Sequence, residues 1–102
     1  MIKYLESKDD FNNIISSGLW LIDFYADWCG PCKSFGRVIE EIDFIDVLKV
    51  NVDQFPKLAK EFGIMSIPTI LYTNNGNIDF KHIGIQSLEE VKNIVDKIKT
   101  SQ

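Results

Sequence analysis

From Leu19 to Tyr25 nearly every position is apolar, as in a central strand covered on both faces. Downstream the period changes. Phe35, Val38, Ile39 and Ile42 fall at i, i+3, i+4 and i+7, with Lys33, Arg37, Glu40 and Glu41 turned outward, which predicts an amphipathic helix running to Ile42. Ile2 to Leu5 reads as a short strand. Ser7 offers an N-cap with Asp10 three residues on, and Phe11, Ile14 and Ile15 supply an apolar helix face that Gly18 stops. Val47 to Val52 is a strand rich in β-branched residues. Leu58, Ala59 and Phe62 mark a short helix with Pro56 in its first turn and Gly63 just past its end. Thr69 to Thr73 and Ile78 to Ile83 form a hairpin through Asn75-Gly76. A last helix begins at Ser87, boxed by Glu90, with Leu88, Val91, Ile94, Val95 and Ile98 on one side. The order β-α-β-α-β-α-β-β-α predicts an α/β fold, a mixed sheet of about five strands flanked by four helices. Strands separated by helices are expected to be parallel with right-handed crossovers, and the closing hairpin antiparallel.

At 102 residues the chain is expected to form one domain, residues 1–102. Its composition, 45% hydrophobic and 25% charged, excludes disordered, collagen-like and coiled-coil classes. A net charge of -4 with no basic cluster argues against nucleic acid or an anionic membrane as principal partner. The longest uninterrupted apolar run, Leu19 to Ile22, is far too short to span a bilayer, and no basic segment followed by an apolar core follows Met1. A cytoplasmic location is the expectation.

Two cysteines, Cys29 and Cys32, are all the chain has. A bridge between them closes a very small loop and adds little stability, so the pair is reactive or metal-binding. Half of a zinc site is one reading, but His82 is the single histidine, and a closed site would need carboxylates or a second subunit. Two inert core cysteines are another, against which Gly30-Pro31 between them marks a turn. Redox chemistry fits better. Cys29 stands at or next to the N-terminus of the amphipathic helix, where free N–H groups and the macrodipole favour a thiolate. Pro31 is tolerated in a first helical turn and Gly30 permits close approach of a partner. Cys32, one turn on and expected to lie deeper, can reach the Cys29 sulfur. Cys29 is thus the expected attacking nucleophile and Cys32 the resolving thiol.

The stretch Asp23-Phe24-Tyr25-Ala26-Asp27-Trp28-Cys29-Gly30-Pro31-Cys32-Lys33 resembles the active-site signature of the thioredoxin family. Ile67-Pro68-Thr69 is similar to the family's proline loop, and Lys49-Val50-Asn51-Val52-Asp53 to its third-strand segment. The resemblance runs from about Ser7 to the end of the chain. It implies the thioredoxin fold and a general protein-disulfide reductase and dithiol electron carrier that serves cell redox homeostasis. It implies no bound cofactor beyond the redox-active disulfide Cys29-Cys32. The partners implied are a flavin-dependent thioredoxin reductase and disulfide-containing proteins such as reductases and peroxidases, met by a monomer.

The resemblance also implies roles for single residues. Asp23, mid-strand in an apolar run, would have a raised pKa if both sheet faces are covered and would act as proton acceptor from Cys32. The alternative is a solvated strand end. Lys49 aligns with a lysine that neighbours this aspartate and modulates it; the alternative is an ordinary strand lysine. Pro68 aligns with a cis-proline facing the cysteines, or else makes a rigid turn. Trp28, Gly30, Pro31, Ser66, Ile67, Pro68 and Gly84, with Ile83 and Ile85, would line the substrate-docking surface by analogy, although Ile83 and Ile85 also suit a core. Phe24 is read as core and His82 as a strand residue without a role.

The chain departs from the family pattern at four places. Tyr25 stands where many members have Trp. Arg37 replaces a proline that kinks the active-site helix, so a straighter helix is expected. Asp43-Phe44-Ile45-Asp46 makes a shortened connection, and Ser66 replaces a glycine. Two rival functions remain: an oxidant or isomerase on the same fold, and a redox-independent interaction subunit of a larger enzyme.

Overall fold

Leu19–Tyr25 (β2) runs through the middle of a five-stranded mixed sheet in the computed structural model, which describes residues 1–101. Its companions are Ile2–Tyr4 (β1), Asp46–Asn51 (β3), Thr69–Asn74 (β4) and Asn77–Ile83 (β5), in the order β1-β3-β2-β4-β5. The helices are Phe11–Ile15 (α1), entered through a 3₁₀ turn at Lys8–Asp10, then Gly30–Ile39 (α2), Pro56–Glu61 (α3) and Leu88–Thr100 (α4).

Alternation along the strands builds two cores. Leu21, Val47, Ile70 and Tyr72 pack beneath Phe35 and Ile39 of α2 and Val91, Val95 and Ile98 of α4. Trp20, Ile22, Phe24, Leu48 and Leu71 meet Phe11 and Ile15 of α1 and Leu58 of α3 on the opposite face. Both faces of β2 are therefore covered, which is why its sequence reads as a nearly continuous apolar run. Phe24 is core, as expected.

The parallel pairs are β1 with β3 and β2 with β3, while β4 runs antiparallel to β2, and β5 antiparallel to β4. This corrects the expectation that every helix-separated strand is parallel. An intervening helix makes strands parallel only where the connection crosses the length of the sheet, and here Asn51, the last residue of β3, pairs with Tyr25 at the end where the chain re-enters after α3. Phe24 pairs with Thr69, the first residue of β4, at that same end.

The active-site helix also stops earlier than its periodicity predicts, at Ile39 rather than Ile42. The amides of Glu41 and Ile42 bond back to Val38 and Ile39, tightening the end into a turn. Ile42 and Ile45 still pack in the α2–α4 core, so the pattern marks burial beyond the helix. Ser7 makes no side-chain cap; the 3₁₀ turn occupies the place of a first α-helical turn. At the hairpin, Asn75 and Gly76 both take positive φ, 50° and 87°, as a two-residue β-turn of the I′ kind requires. Asn75 also receives the Gly18 N–H on its side-chain oxygen at 2.8 Å, pinning the hairpin to the turn before β2.

Candidate active site

The carboxyl ends of β2 and β3 point at the tip of α2, and the site is assembled there. Ala26 to Trp28 carry the chain from β2 to Cys29, which is the N-cap of α2 with extended backbone. Its sulfur accepts the Cys32 N–H at 3.2 Å, taking the place a capping oxygen fills in most helices. Pro31 sits in the first turn, where a missing N–H costs nothing. Cys29 and Cys32 form a disulfide with Cα atoms 5.2 Å apart. After reduction, the same N–H and the helix macrodipole favour a negative sulfur at position 29 over one at 32.

The cysteines are almost equally buried, at 4% and 3% exposure, so depth does not separate them as the sequence suggested. Direction does. Cys29 lies 3.8 Å from the Ile67 carbonyl oxygen, beside a surface groove lined by Trp28, Val52, Ile64, Met65, Ser66 and Ile67. Cys32 lines a different cleft, of about 190 Å³, with Tyr4, Tyr25, Asp27, Lys33 and Lys49.

The proline loop faces the sulfurs, and the Ile67–Pro68 peptide bond is cis. Three contacts hold this loop. The Thr69 hydroxyl donates to the Ser66 carbonyl at 2.6 Å, the Gly84 N–H donates to the Pro68 carbonyl at 2.8 Å, and Ile67 packs on the cysteines. Gly84 takes a φ of +99°, open to glycine, and its neighbours Ile83 and Ile85 are exposed rather than core. Trp28, Gly30, Pro31 and Ser66 are exposed on the same rim, and Pro68 is buried beneath it. His82 lies on β5 and lines neither the groove beside Cys29 nor the cleft beside Cys32.

Asp23 is wholly buried, and no residue donates a hydrogen bond to either carboxylate oxygen among the described residues. Burial raises its pKa to about 7, opposed by the Lys49 ammonium 3.7 Å away. Lys49 itself is not an ordinary solvated strand lysine. Its side chain is only 12% exposed, and its ammonium lies 4.5 Å from the Tyr25 ring centre.

Two residues near the site were not singled out from the sequence. Asp53 accepts the Trp28 indole N–H at 2.8 Å, and Met65 stands 96% exposed in the groove beside Trp28. Asp53 closes the strand segment that resembled the family, but nothing in the sequence paired it with Trp28. No cluster of three or more His, Cys, Asp or Glu residues able to hold a metal occurs among the described residues, and none of their helices is long and apolar enough to cross a membrane.

A sulfur pair that can open and close at a helix tip, beside an open surface groove, makes this a thiol–disulfide exchange protein. The thioredoxin family model matches residues 3–97. Curated relatives include a thioredoxin of Staphylococcus epidermidis, 41% identical over 96 residues with 89% of this chain and 92% of that one covered. A thioredoxin of Chlamydia muridarum is 36% identical over 95 residues, covering 89% and 93%. Among solved structures, a mutant thioredoxin from Halobacterium salinarum superposes with a TM-score of 0.87 at 29% identity, covering 94% of this chain and 88% of that one. A Malassezia sympodialis thioredoxin gives 0.83 at 30% identity, covering 94% and 91%. The chain belongs to the thioredoxin family and has the thioredoxin fold. It is a protein-disulfide oxidoreductase and dithiol electron carrier whose redox group is its own Cys29–Cys32 disulfide.

Proposed function

We propose that the protein works in the reducing direction, as a general reductant of protein disulfides in the cytoplasm. The reading is supported by the match to the thioredoxin family over residues 3–97 and by the Gly30-Pro31 pair between the cysteines, and the Cys32 N–H donated to the Cys29 sulfur at the N-cap of α2 singles out which thiolate attacks. In this reading the Cys29 thiolate attacks a substrate disulfide, forms a mixed disulfide and releases one substrate thiolate. Cys32 then gives its proton to the Asp23 carboxylate and attacks the Cys29 sulfur. The second substrate thiolate leaves, and two electrons have passed from the dithiol to the substrate. A carboxyl with a pKa of about 7 is matched to that proton transfer near neutral pH. Lys49 modulates Asp23 through its charge.

Trp28, Gly30, Pro31, Ser66, Ile67, Pro68 and Gly84 dock the substrate in this reading. The exposed rim and the groove beside Cys29 support an extended substrate segment lying along the proline loop. The partners are disulfide-bearing proteins, including reductases and peroxidases, and a thioredoxin reductase that recharges a monomeric carrier. Equilibrating the Cys29–Cys32 pair with glutathione or dithiothreitol redox buffers tests the direction. A potential near about −270 mV, the value associated with this family, supports a reductant. A value of about −180 to −120 mV, roughly 4–7 kcal/mol away for two electrons, makes the protein an oxidant or isomerase instead. A variant with both cysteines replaced by Ser that retained its cellular activity would point to a redox-independent subunit.

A further inference from the structure

Three strands place three side chains in one row across the sheet. Tyr4 of β1 is the register partner of Lys49 on β3, and Lys49 is the register partner of Asp23 on β2. Residues in register share a sheet face, so all three side chains stand on the side covered by α2. Neighbouring strands lie about 4.8 Å apart, so Tyr4 is two spacings from Asp23, and Lys49 stands between them.

A lysine beside a cleft ordinarily extends its ammonium into water. Lys49 does not. Its Nζ lies 5.5 Å from the Tyr4 ring centre and 4.5 Å from that of Tyr25, both within cation–π range, and 3.7 Å from the Asp23 carboxylate. A Cβ at Gly36 of α2 would meet the same Nζ at 3.8 Å, so the helix forms a roof over it. The ammonium is enclosed by two rings, a helix backbone and a carboxylate. Tyr4, 57% exposed, supplies the outer wall, and it belongs to none of the three stretches of sequence that carry the resemblance to the family.

We propose that Tyr4 is a positioning residue whose ring, with that of Tyr25, clamps the Lys49 ammonium beside the Asp23 carboxylate. Its consequence for catalysis rests on the reading of Asp23 as proton acceptor. Without the Tyr4 ring the ammonium swings outward through the cleft, and the charge opposing the burial of Asp23 weakens. Asp23 then holds its proton to higher pH. The other charged or titratable groups facing this space are Asp27 after β2, and Cys32, Lys33, Arg37 and Glu40 on α2. Asp27 and Glu40 offset Lys33 and Arg37, and none of the four lies on β1, so replacing Tyr4 changes the hold on Lys49 while leaving those charges in place.

The test follows the Asp23 carboxyl carbon by NMR titration in the oxidised protein, which reads the clamp whether or not Asp23 moves protons. Tyr4→Leu should raise the titration midpoint by about half a pH unit, threefold in the protonation equilibrium, and Tyr4→Phe should leave it where it is. Tyr4→Thr, which lacks the ring but favours strands, should match Tyr4→Leu. A midpoint that stays or falls in both ringless variants, or a Tyr4→Phe shift as large as theirs, overturns the proposal. In parallel, the pH profile of mixed-disulfide resolution should move with the carboxyl titration. A moved titration with an unmoved profile leaves the clamp standing and removes Asp23 from the role of proton acceptor.

Discussion

The Trp28 indole N–H donates to the Asp53 carboxylate at 2.8 Å, across from the loop before α2 to the end of β3, while Trp28 remains 71% exposed. An exposed indole is otherwise free to change rotamer, so this bond sets how the ring stands at the edge of the groove. Asp53 is itself held at the strand end, where the Asn51 side chain accepts its N–H at 2.9 Å. At an exposed site such a bond contributes about 1 kcal/mol. Asp53→Ala should slow reduction of a protein disulfide about fivefold, mainly through KM, and lower the melting temperature by about 4–8 °C. Steady-state kinetics beside Trp28 fluorescence anisotropy check it; a kcat loss at constant KM would assign Asp53 to chemistry instead of docking.

Ser87 and Glu90 form a reciprocal box at the start of α4. The Glu90 N–H donates to the Ser87 hydroxyl at 3.1 Å, and the Glu90 side chain accepts the Ser87 N–H at 3.0 Å. Those bonds hold the Glu90 carboxyl below its ordinary range, so the box persists into mildly acid solution. Removing such a cap costs about 1 kcal/mol. Ser87→Ala should lower the melting temperature by about 4–8 °C without changing the reduction potential, since α4 meets the site only through the core. A calorimetric scan and a redox titration on the same sample decide it.

What was legible in the chain is what neighbouring residues dictate. The Leu19–Tyr25 run, the Asn75-Gly76 turn and the Ser87–Glu90 box each follow from short-range chemistry and appear in the fold where the pattern put them. The spacing of Cys29, Gly30, Pro31 and Cys32 ahead of an amphipathic helix likewise predicted a sulfur at a helix tip. The direction of β4 was not legible, because it depends on the end of the sheet at which the connection after β3 turns back, which no local pattern marks. Ile42 and Ile45 kept a core-facing pattern after the helix had ended, so periodicity overran it. Trp28 with Asp53, and Tyr4 with Lys49, are pairs made by register and loop placement, and no spacing along one segment encodes them.

Behind the docking rim, the Tyr72 hydroxyl donates to the Gln86 side-chain oxygen at 2.6 Å, and both residues are buried. Burial pushes the Tyr72 hydroxyl well above its ordinary pKa, so it remains a donor through the physiological range. Gln86 lies between Ile85 on the rim and the cap of α4, which makes the pair an anchor for the segment carrying Gly84. Tyr72→Phe leaves a buried amide oxygen unpaired and should cost about 1–3 kcal/mol in urea denaturation. Gln86→Leu should cost a similar amount, and the double variant less than the two single losses combined. Full additivity would show that the two groups do not depend on each other.

Asp23 gives stability a pH dependence of definite sign. Its carboxyl titrates at about 7 in the fold against 3.8 as the ordinary value, so between those two pH values the folded chain holds a proton that the unfolded chain has released. Folding stability is therefore greatest below about pH 4 as far as this group is concerned, and falls as pH rises through about 7, by about 4 kcal/mol in all. An asparagine keeps the shape and never ionises. Asp23→Asn should thus be more stable than the parent at pH 8 by about 2–4 kcal/mol, the lower figure allowing for what Lys49 loses, with the difference vanishing near pH 4. The same substitution should slow resolution of the mixed disulfide by about a hundredfold while sparing the first attack by Cys29, because only resolution needs a proton acceptor. Denaturation at several pH values reads the first effect and single-turnover kinetics the second. Equal losses in both kinetic steps, beside the stability gain, would leave Asp23 a buried charge with no part in proton transfer.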